Sequence, residues 1–204
     1  MRNSYIKIEN VTFTRNDKKI FPNISIDITH SQIINIFGPN GSGKTSFVRT
    51  VVGLSEPSTG KIKNTFEDET NNQIIFVGHK LGLKKDLTIN ENLRYCQEFY
   101  GLYNQDKIDD ALHKFKIIES KNIPIKYLSQ GQKKMVGLAK LMIVPFIIWV
   151  IDEPYTSLDT TSSNILNSVM KQHVSNKGVI IMTNHVKLQN QDLNIKNISI
   201  LQNE

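Results

Sequence analysis

The chain carries Gly38-Pro39-Asn40-Gly41-Ser42-Gly43-Lys44-Thr45, which fits the pattern G-x-x-x-x-G-K-[ST] of a phosphate-binding loop. The residues just before it, Ile33–Phe37, are almost wholly apolar, which predicts a strand at the centre of a parallel sheet covered on both faces. A helix is predicted after it, from about Lys44 to Val52, with Gly53 as its C-cap. Strand, glycine-rich turn and helix together predict a site where backbone N–H groups and a helix N-terminus bind a polyphosphate.

Two side chains of this loop have predicted chemical roles. Lys44 is expected to neutralise the β- and γ-phosphates of ATP, and Thr45 to bind Mg²⁺ through its hydroxyl. The predicted nucleotide-binding residues of this segment are Gly38, Pro39, Asn40, Gly41, Ser42, Gly43, Lys44, Thr45 and Ser46.

An acidic pair supplies the second half of the predicted site. Phe146–Ile151 reads as a buried strand, and Asp152 and Glu153 follow it directly. Ligands of open α/β sheets bind at the carboxyl ends of the strands, so the pair is expected beside the phosphate loop. Asp152 is predicted to sit behind the Mg²⁺ shell, and Glu153 to polarise the attacking water as the catalytic carboxylate.

The rest of the chain predicts an α/β protein. Tyr5–Arg15 and Ile24–Ile28 alternate apolar and polar residues, as half-buried strands do. Thr88 and Glu91 fit a capping box that opens a helix. Further helices and strands are predicted at Asp106–Lys116, from Ser129 to about Leu141, at Thr160–His173, at Ile74–Val77, at Val179–Met182 and at Ile195–Leu201. One domain over residues 1–204 is expected, with a mainly parallel core sheet and a helical subdomain at approximately 81–140.

Three further segments resemble motifs of the ABC ATPases, in the order of that family. Leu128-Ser129-Gln130-Gly131-Gln132 resembles the LSGGQ signature, and Ser129 stands 23 residues before Asp152. Ser157-Leu158-Asp159 resembles the D-loop, and Thr183-Asn184-His185 resembles the segment of the switch histidine. Each has a simpler interpretation, with Ser129 as a helix cap and His185 as a surface histidine.

The resemblance implies a P-loop NTPase fold of the ABC type, with an N-terminal antiparallel β part beside the parallel sheet. It implies that the chain works as a dimer in which Ser129, Gly131, Gln132 and Asp159 of one copy complete the ATP site of the other. His185 is implied to touch the γ-phosphate, and so to join Lys44 and Glu153 as a catalytic residue.

Within the ABC ATPases the chain resembles the CcmA family (haem exporter protein A), the ATP-binding subunits of cytochrome c maturation. The similarity lies in the segments Gly78–Lys84 and Trp149–Pro154. Arg15 stands where most ABC ATPases have a Tyr that stacks on adenine, and is a candidate for that contact. His79 replaces the usual Q-loop glutamine and is a candidate to reach Mg²⁺ through a bridging water.

Bulk properties restrict the partners. The formal net charge of the 204 residues is +6, but the lysines are spread over the whole length, so no nucleic acid is expected. No apolar run approaches the roughly 18 residues of a membrane span. Cys96 is the one cysteine, and His30, His113 and His173 are expected to be solvated. The resemblance implies a polytopic, CcmB-like membrane partner and a peripheral position at the cytoplasmic side of the inner membrane, or at the matrix side in an organelle.

The leading hypothesis is therefore an ATPase subunit of a CcmAB-like transporter that serves c-type cytochrome biogenesis, by haem export or by release of a haem chaperone. Two alternatives remain open. One is an ABC ATPase that energises transport of an unrelated cargo, such as a lipid or a peptide. The other is a nucleotide-gated ABC ATPase without transport, although such proteins usually carry a long coiled-coil insertion or two fused cassettes.

Overall fold

The computed structural model describes residues 5–15, 18–64, 74–189 and 193–200. The strands are β1 (Ile6–Arg15), β2 (Lys18–Ile28), β3 (Gln32–Phe37), β4 (Thr59–Asn64), β5 (Ile74–Val77), β6 (Ile148–Ile151), β7 (Val179–Asn184) and β8 (Ile195–Ser199). The helices are α1 (Lys44–Val51), α2 (Ile89–Phe99), α3 (Gln105–Lys114), α4 (Gln130–Ile143) and α5 (Thr160–Ser175), with short 3-10 helices at Ile118–Ser120 and Ile125–Tyr127.

A parallel sheet forms the core of the fold, in the order β5-β6-β7-β3-β8. Every residue of β6 and β7 is buried, as are the four central residues of β3. This confirms the α/β prediction, because near-continuous apolar strands are typical of a parallel sheet covered on both faces. Since β6, β7 and β3 are neighbours, the segments that follow them meet at one edge of the sheet.

An antiparallel sheet, β2-β1-β4, makes the N-terminal β part. Ile24, Ile26 and Ile28 of β2 share its buried face, as their alternation predicts. The strand begins at Lys18 rather than at Ile24. β4 was not predicted, because its sequence TGKIKN has a single apolar residue, Ile62, which pairs with Ile8 of β1.

Aromatic packing connects this antiparallel sheet to the helix after the phosphate loop. Phe21 of β2 lies against Phe47 of α1 with ring centroids 5.6 Å apart, edge to face. Both side chains are at most 1% exposed. The contact fixes the start of α1 relative to β2, and therefore the position of the loop between β3 and α1.

The described residues group into two compact units. The first contains residues up to Gly78, Ile147–Pro154 and the residues from Lys171 onward, and it holds both sheets. The second contains His79–Phe146 and Tyr155–Met170. Apolar side chains of α2, α3 and α4 form the buried interior of the second unit, including Leu93, Leu112, Val136 and Leu138.

Helix and strand ends differ from the predicted bounds by a few residues. The capping box of Thr88 and Glu91 is present at the start of α2. α4 continues to Ile143, two residues past the predicted end, because its last turn is buried. β6 begins at Ile148 rather than at Phe146, whose ring instead packs edge to face on Tyr100. Among the described residues, no helix combines the length and the apolar character that a membrane span requires.

His173 does not fit its prediction. Its ring stacks on Trp149 of β6 with centroids 3.6 Å apart and 11° between the planes, and its Nε2 lies 3.0 Å from the carbonyl oxygen of Ile147. Burial lowers the pKa of His173 to about 4. The expectation of a solvated histidine is therefore wrong. The prediction failed because the neighbours of His173 in sequence are polar, whereas its ring faces the sheet from the last turn of α5.

Candidate active site

The glycine-rich loop joins β3 to α1 and folds around the amino group of Lys44. Lys44 is 5% exposed, and its Nζ donates to the carbonyl oxygens of Gly38 and Pro39, both at 2.8 Å. Gly43 has φ = 93°, in the left-handed region, and a Cβ there would lie 2.5 Å from Cγ2 of Ile20. Glycine is therefore required at this position by the backbone conformation and by the lack of space.

The start of α1 carries the features of an anion site. Side chains cap α2, α3 and α4 (Thr88, Asn104 and Ser129), whereas α1 begins at Gly43 without a side-chain cap. Ser42 Oγ is one of two buried side-chain polar atoms without a hydrogen-bond partner among the described residues. An uncapped helix N-terminus and an orphaned hydroxyl fit a phosphate group, which accepts from both.

Asp152 lies at the carboxyl end of β6, between hydroxyls from two neighbouring elements. Thr45 Oγ1 of α1 donates to Oδ2 at 2.9 Å, and Thr183 Oγ1 of β7 donates to Oδ1 at 2.5 Å. The carboxylate is 3% exposed. A carboxylate and a threonine hydroxyl are hard oxygen ligands, so Asp152 and Thr45 have the chemistry that fits Mg²⁺.

Glu153 adopts an uncommon backbone conformation, with φ = 50°. Its N–H donates to Thr183 Oγ1 at 3.0 Å, and its Oε1 lies 3.2 Å from Nε2 of His185. The side chains of Glu153 and His185 are 24% and 47% exposed. The carboxylate therefore points to a surface that water and a ligand can reach, with an imidazole beside it.

Thr183 is the residue of this constellation that the sequence analysis did not single out as a site residue. Its hydroxyl contacts both members of the acidic pair, and the residue is fully buried at the end of β7. The one indication in the sequence is a hydroxyl that directly follows the apolar run Val179–Met182, two residues before His185. Its partners could not be inferred, because they depend on β6 and β7 being neighbours.

The predicted signature segment lies in the second unit and shows local order of its own. Ser129 Oγ accepts the N–H of Gln132 at 3.2 Å, and Gln132 Oε1 accepts the N–H of Ser129 at 2.9 Å, which is a capping box. A Cβ on Gly131 would lie 2.9 Å from the carbonyl oxygen of Ser157. The signature segment therefore lies against the segment Ser157–Asp159 at Gly131, where any side chain would collide with the backbone of Ser157.

Asp159 precedes α5 and accepts the N–H of Ser162 at 2.7 Å. That bond lowers the pKa of the Asp159 carboxyl.

His79 is exposed. The segment after it is tied to α4, because Lys140 Nζ donates to the carbonyl oxygens of Leu81 and Gly82 at 2.9 and 3.1 Å.

The remaining predicted nucleotide-binding residues are Arg15 and Ser46. Arg15 ends β1, but its side chain lies outside the described residues. Ser46 is partly buried in the first turn of α1.

Comparison with known proteins identifies the family. The ABC transporter family pattern matches residues 21–156. The chain is 32% identical over 200 residues to the cytochrome c biogenesis ATP-binding export protein CcmA of Histophilus somni, covering 95% of this chain and 92% of that protein. The proteins of the same name from Vibrio vulnificus (strain YJ016) and Yersinia pestis are 33% and 32% identical, over 88% and 96% of this chain and 91% and 92% of theirs. The chain is a CcmA-like ATPase of the ABC transporter family.

Solved structures agree on the fold of this ABC ATPase. A Pyrococcus furiosus protein assigned as the ATP-binding protein of an ABC transporter superposes with a TM-score of 0.83, at 24% identity and 96% coverage of both chains. The CbiO1 protein of Clostridium perfringens, part of the ABC transporter complex CbiONQ, gives a TM-score of 0.72 at 22% identity, over 90% of this chain and 79% of that one. Family membership implies that the ABC ATPase binds and hydrolyses ATP.

Proposed function

We propose that this ABC ATPase drives a membrane complex of c-type cytochrome biogenesis, where ATP hydrolysis powers haem export or the release of a haem-loaded chaperone. One observation supports hydrolysis above all: Asp152, Glu153 and His185 converge at the edge of the sheet where the glycine-rich loop lies. The haem and cytochrome c part rests on the names of relatives that match nearly the whole chain.

ATP binding is assigned to the glycine-rich loop and to α1. Lys44 holds two loop carbonyls at 2.8 Å, and in the complex its ammonium group transfers to the β- and γ-phosphates. Ser42 Oγ and the uncapped N–H groups of α1 supply further donors. Thr45 and Asp152 would hold Mg²⁺, which would neutralise part of the phosphate charge.

The hydrolytic step is assigned to Glu153. Its carboxylate orients a water for attack on the γ-phosphorus and accepts the proton that this water loses, while the bond from the γ-phosphorus to the β–γ bridging oxygen breaks and ADP leaves. Thr183 holds the backbone of Glu153 and the carboxylate of Asp152 together, so both acidic groups keep one geometry. His185, 3.2 Å from the carboxylate, donates to the γ-phosphate and stabilises the charge that develops there.

Two copies of the chain are needed for a complete site. The Ser129 hydroxyl caps α4 through its oxygen and keeps its proton to donate, and we assign this hydroxyl and the helix N-terminus beside it as a second anion site besides the glycine-rich loop. In the proposed dimer Ser129, Gly131 and Gln132 close over the ATP of the partner, and Asp159 lies beside the same nucleotide. The capping box keeps this segment rigid before the partner arrives.

The proposed membrane partner is a polytopic, CcmB-like protein, which this ATPase would bind at the cytoplasmic side of the inner membrane, or at the matrix side in an organelle. His79 is the first residue of the second unit, and Lys140 holds the segment that follows it on α4. A displacement of that segment by the membrane partner would therefore also displace α4, the helix that begins at the signature.

Complementation tests this proposal. A bacterial host without its own CcmA and CcmB is given this chain together with a CcmB-like membrane protein from the same source, and c-type cytochromes are measured by haem staining. Restoration by the wild type and not by Lys44→Ala supports the proposal. Failure to restore by a chain that is expressed, hydrolyses ATP and binds its membrane partner would indicate another cargo. Co-purification of nucleic acid in place of a membrane protein would favour the ATPase without transport.

A further inference from the structure

A buried asparagine lies on β3, between β7 and the edge strand β8 of the parallel sheet. Asn35 is the third of the four buried residues of β3, and it is 0% exposed between Ile34 and Ile36, which are also fully buried. Burial of an amide without hydrogen-bond partners costs several kcal/mol, roughly 2–7 depending on the reference. An apolar residue would avoid this cost, so the contacts of the amide indicate what it does.

The side-chain amide of Asn35 bonds to the end of β7, to the segment after it and to β8. Its Nδ2 donates to the carbonyl oxygen of Val186 at 3.3 Å and to Oδ1 of Asn197 at 2.7 Å. Its Oδ1 accepts Nδ2 of Asn184 at 2.8 Å. Neither of the two backbone hydrogen-bond ladders of β3 requires these bonds.

Asn197 on β8 extends the same network. It is the direct neighbour of Asn35 in the β3–β8 register. Its Oδ1 accepts the N–H of Leu188 at 3.0 Å, and its Nδ2 donates to the carbonyl oxygen of Leu188 at 3.0 Å. Because a backbone carbonyl only accepts and a backbone N–H only donates, these contacts fix the orientation of both amides.

The residues that the network holds lie on both sides of His185 in the sequence. Asn184 is bound through its side chain, Val186 through its carbonyl and Leu188 through both of its backbone groups. The imidazole of His185 is 47% exposed and makes its contact with Glu153 from this fixed segment. The backbone on either side is therefore restrained, while the ring remains accessible.

From this arrangement we infer that Asn35 and Asn197 are positioning residues for hydrolysis, which hold the backbone around His185 so that its ring faces Glu153 and the γ-phosphate. The inference rests on the proposed role of His185. Neither asparagine bonds to the glycine-rich loop directly, and the network reaches that loop only through the carbonyl of Asn184, which accepts the N–H of Gly38 at 3.3 Å. Loss of either asparagine should therefore reduce turnover much more than ATP binding.

The experiment compares Asn35→Ala and Asn197→Ala with Gln97→Ala as the matched control. Gln97 is another buried amide, 1% exposed, which bridges the carbonyl of Ile143 and the N–H of Asn104 far along the chain from His185. Both asparagine variants should lower kcat roughly 10- to 100-fold, with KM and Kd for ATP within about threefold of wild type, because a misplaced catalytic group costs this much. Asn197 is half-buried on an edge strand, so Asn197→Ala keeps the test available if Asn35→Ala does not fold.

A second measurement separates positioning from the role of His185 in hydrolysis. The chain has five histidines, so ring signals of isotope-labelled histidine can be followed by NMR. Either asparagine variant should shift or broaden the His185 signal and leave that of the exposed His113 unchanged. If His185→Ala hydrolyses ATP at the wild-type rate, the proposed role of His185 fails, while this signal still tests the positioning.

Two results would overturn the inference. One is a wild-type His185 signal with wild-type kcat in both folded asparagine variants. The other is an equal loss of kcat in Gln97→Ala, which would show that loss of any buried amide has this effect.

Discussion

Thr183 Oγ1 donates to Oδ1 of Asp152 at 2.5 Å across the neighbouring strands β7 and β6. The same oxygen accepts the N–H of Glu153 at 3.0 Å. One hydroxyl from the strand that leads to His185 thus holds both residues of the acidic pair. The strand that leads to His185 is therefore bonded to the carboxylate of Asp152 and to the backbone of Glu153 through a single buried oxygen atom.

Thr183→Val should show how much the two hydrogen bonds of the Thr183 hydroxyl contribute to turnover, apart from the packing of the side chain. The change keeps the shape and removes the hydroxyl, which as a hydrogen-bond partner of a charged group contributes about 1.5–3 kcal/mol. We expect turnover to fall roughly 10- to 100-fold, with Kd for ATP little changed, as measured by steady-state ATPase assays and nucleotide titration. Thr183→Ser is the control and should retain most of the activity. Equal kcat in the valine and serine variants would contradict this role.

Glu153→Gln should leave ATP binding intact and lower hydrolysis by roughly 10²–10⁴-fold, because an amide cannot accept the proton of the attacking water. The ATP-bound dimer should then persist, which size-exclusion chromatography with ATP can detect. Glu119→Gln, at an exposed 3-10 turn, is the control for a lost charge. Hydrolysis by Glu153→Gln within about twofold of wild type would remove this carboxylate from the mechanism.

The Ser129 cap makes a charge test of the dimer possible. Aspartate caps helices as well as serine does, so Ser129→Asp should keep α4 intact while it places a negative charge opposite the partner's phosphates. We expect loss of ATPase activity without loss of thermal stability, whereas Ser129→Thr should remain active.

The same dimer predicts the behaviour of mixtures. Specific activity should rise with protein concentration, and added Lys44→Ala subunits should lower it more than dilution does. Activity that is independent of concentration in a proven monomer would contradict a shared site.

The sequence predicted the parallel sheet and the loop because those features are encoded locally. A buried strand is a run of apolar residues, and the glycine-rich loop is a contiguous motif. β4 was missed because TGKIKN has no alternation and is a strand only by pairing with β1. Thr183, Asn35 and Asn197 were missed for a similar reason. Their partners are distant in sequence and meet only through the strand order.

His173 predicts how stability depends on pH. Burial against Trp149 holds its pKa at about 4, below the 6.5 of a free imidazole. Between these values the unfolded chain binds a proton that the folded chain does not. The stability that the neutral ring contributes is therefore complete above pH 6.5 and is lost as the pH falls to about 4. The shift corresponds to at most about 3 kcal/mol, and to less for a ring that is still partly exposed.

His173→Phe should make this part of the pH dependence disappear. A phenyl ring can keep the stack on Trp149, and Gly178 leaves space beside the ring, since a Cβ there would clash with it. Loss of the contact to the Ile147 carbonyl lowers the free energy of unfolding by an amount that does not vary with pH. Urea unfolding from pH 7.5 to 4.5 should therefore give a shallower decline than wild type. His113→Phe, at an exposed position on α3, should follow the wild-type slope. Parallel curves for His173→Phe and wild type would mean that the imidazole takes up a proton in the folded protein as readily as in the unfolded chain.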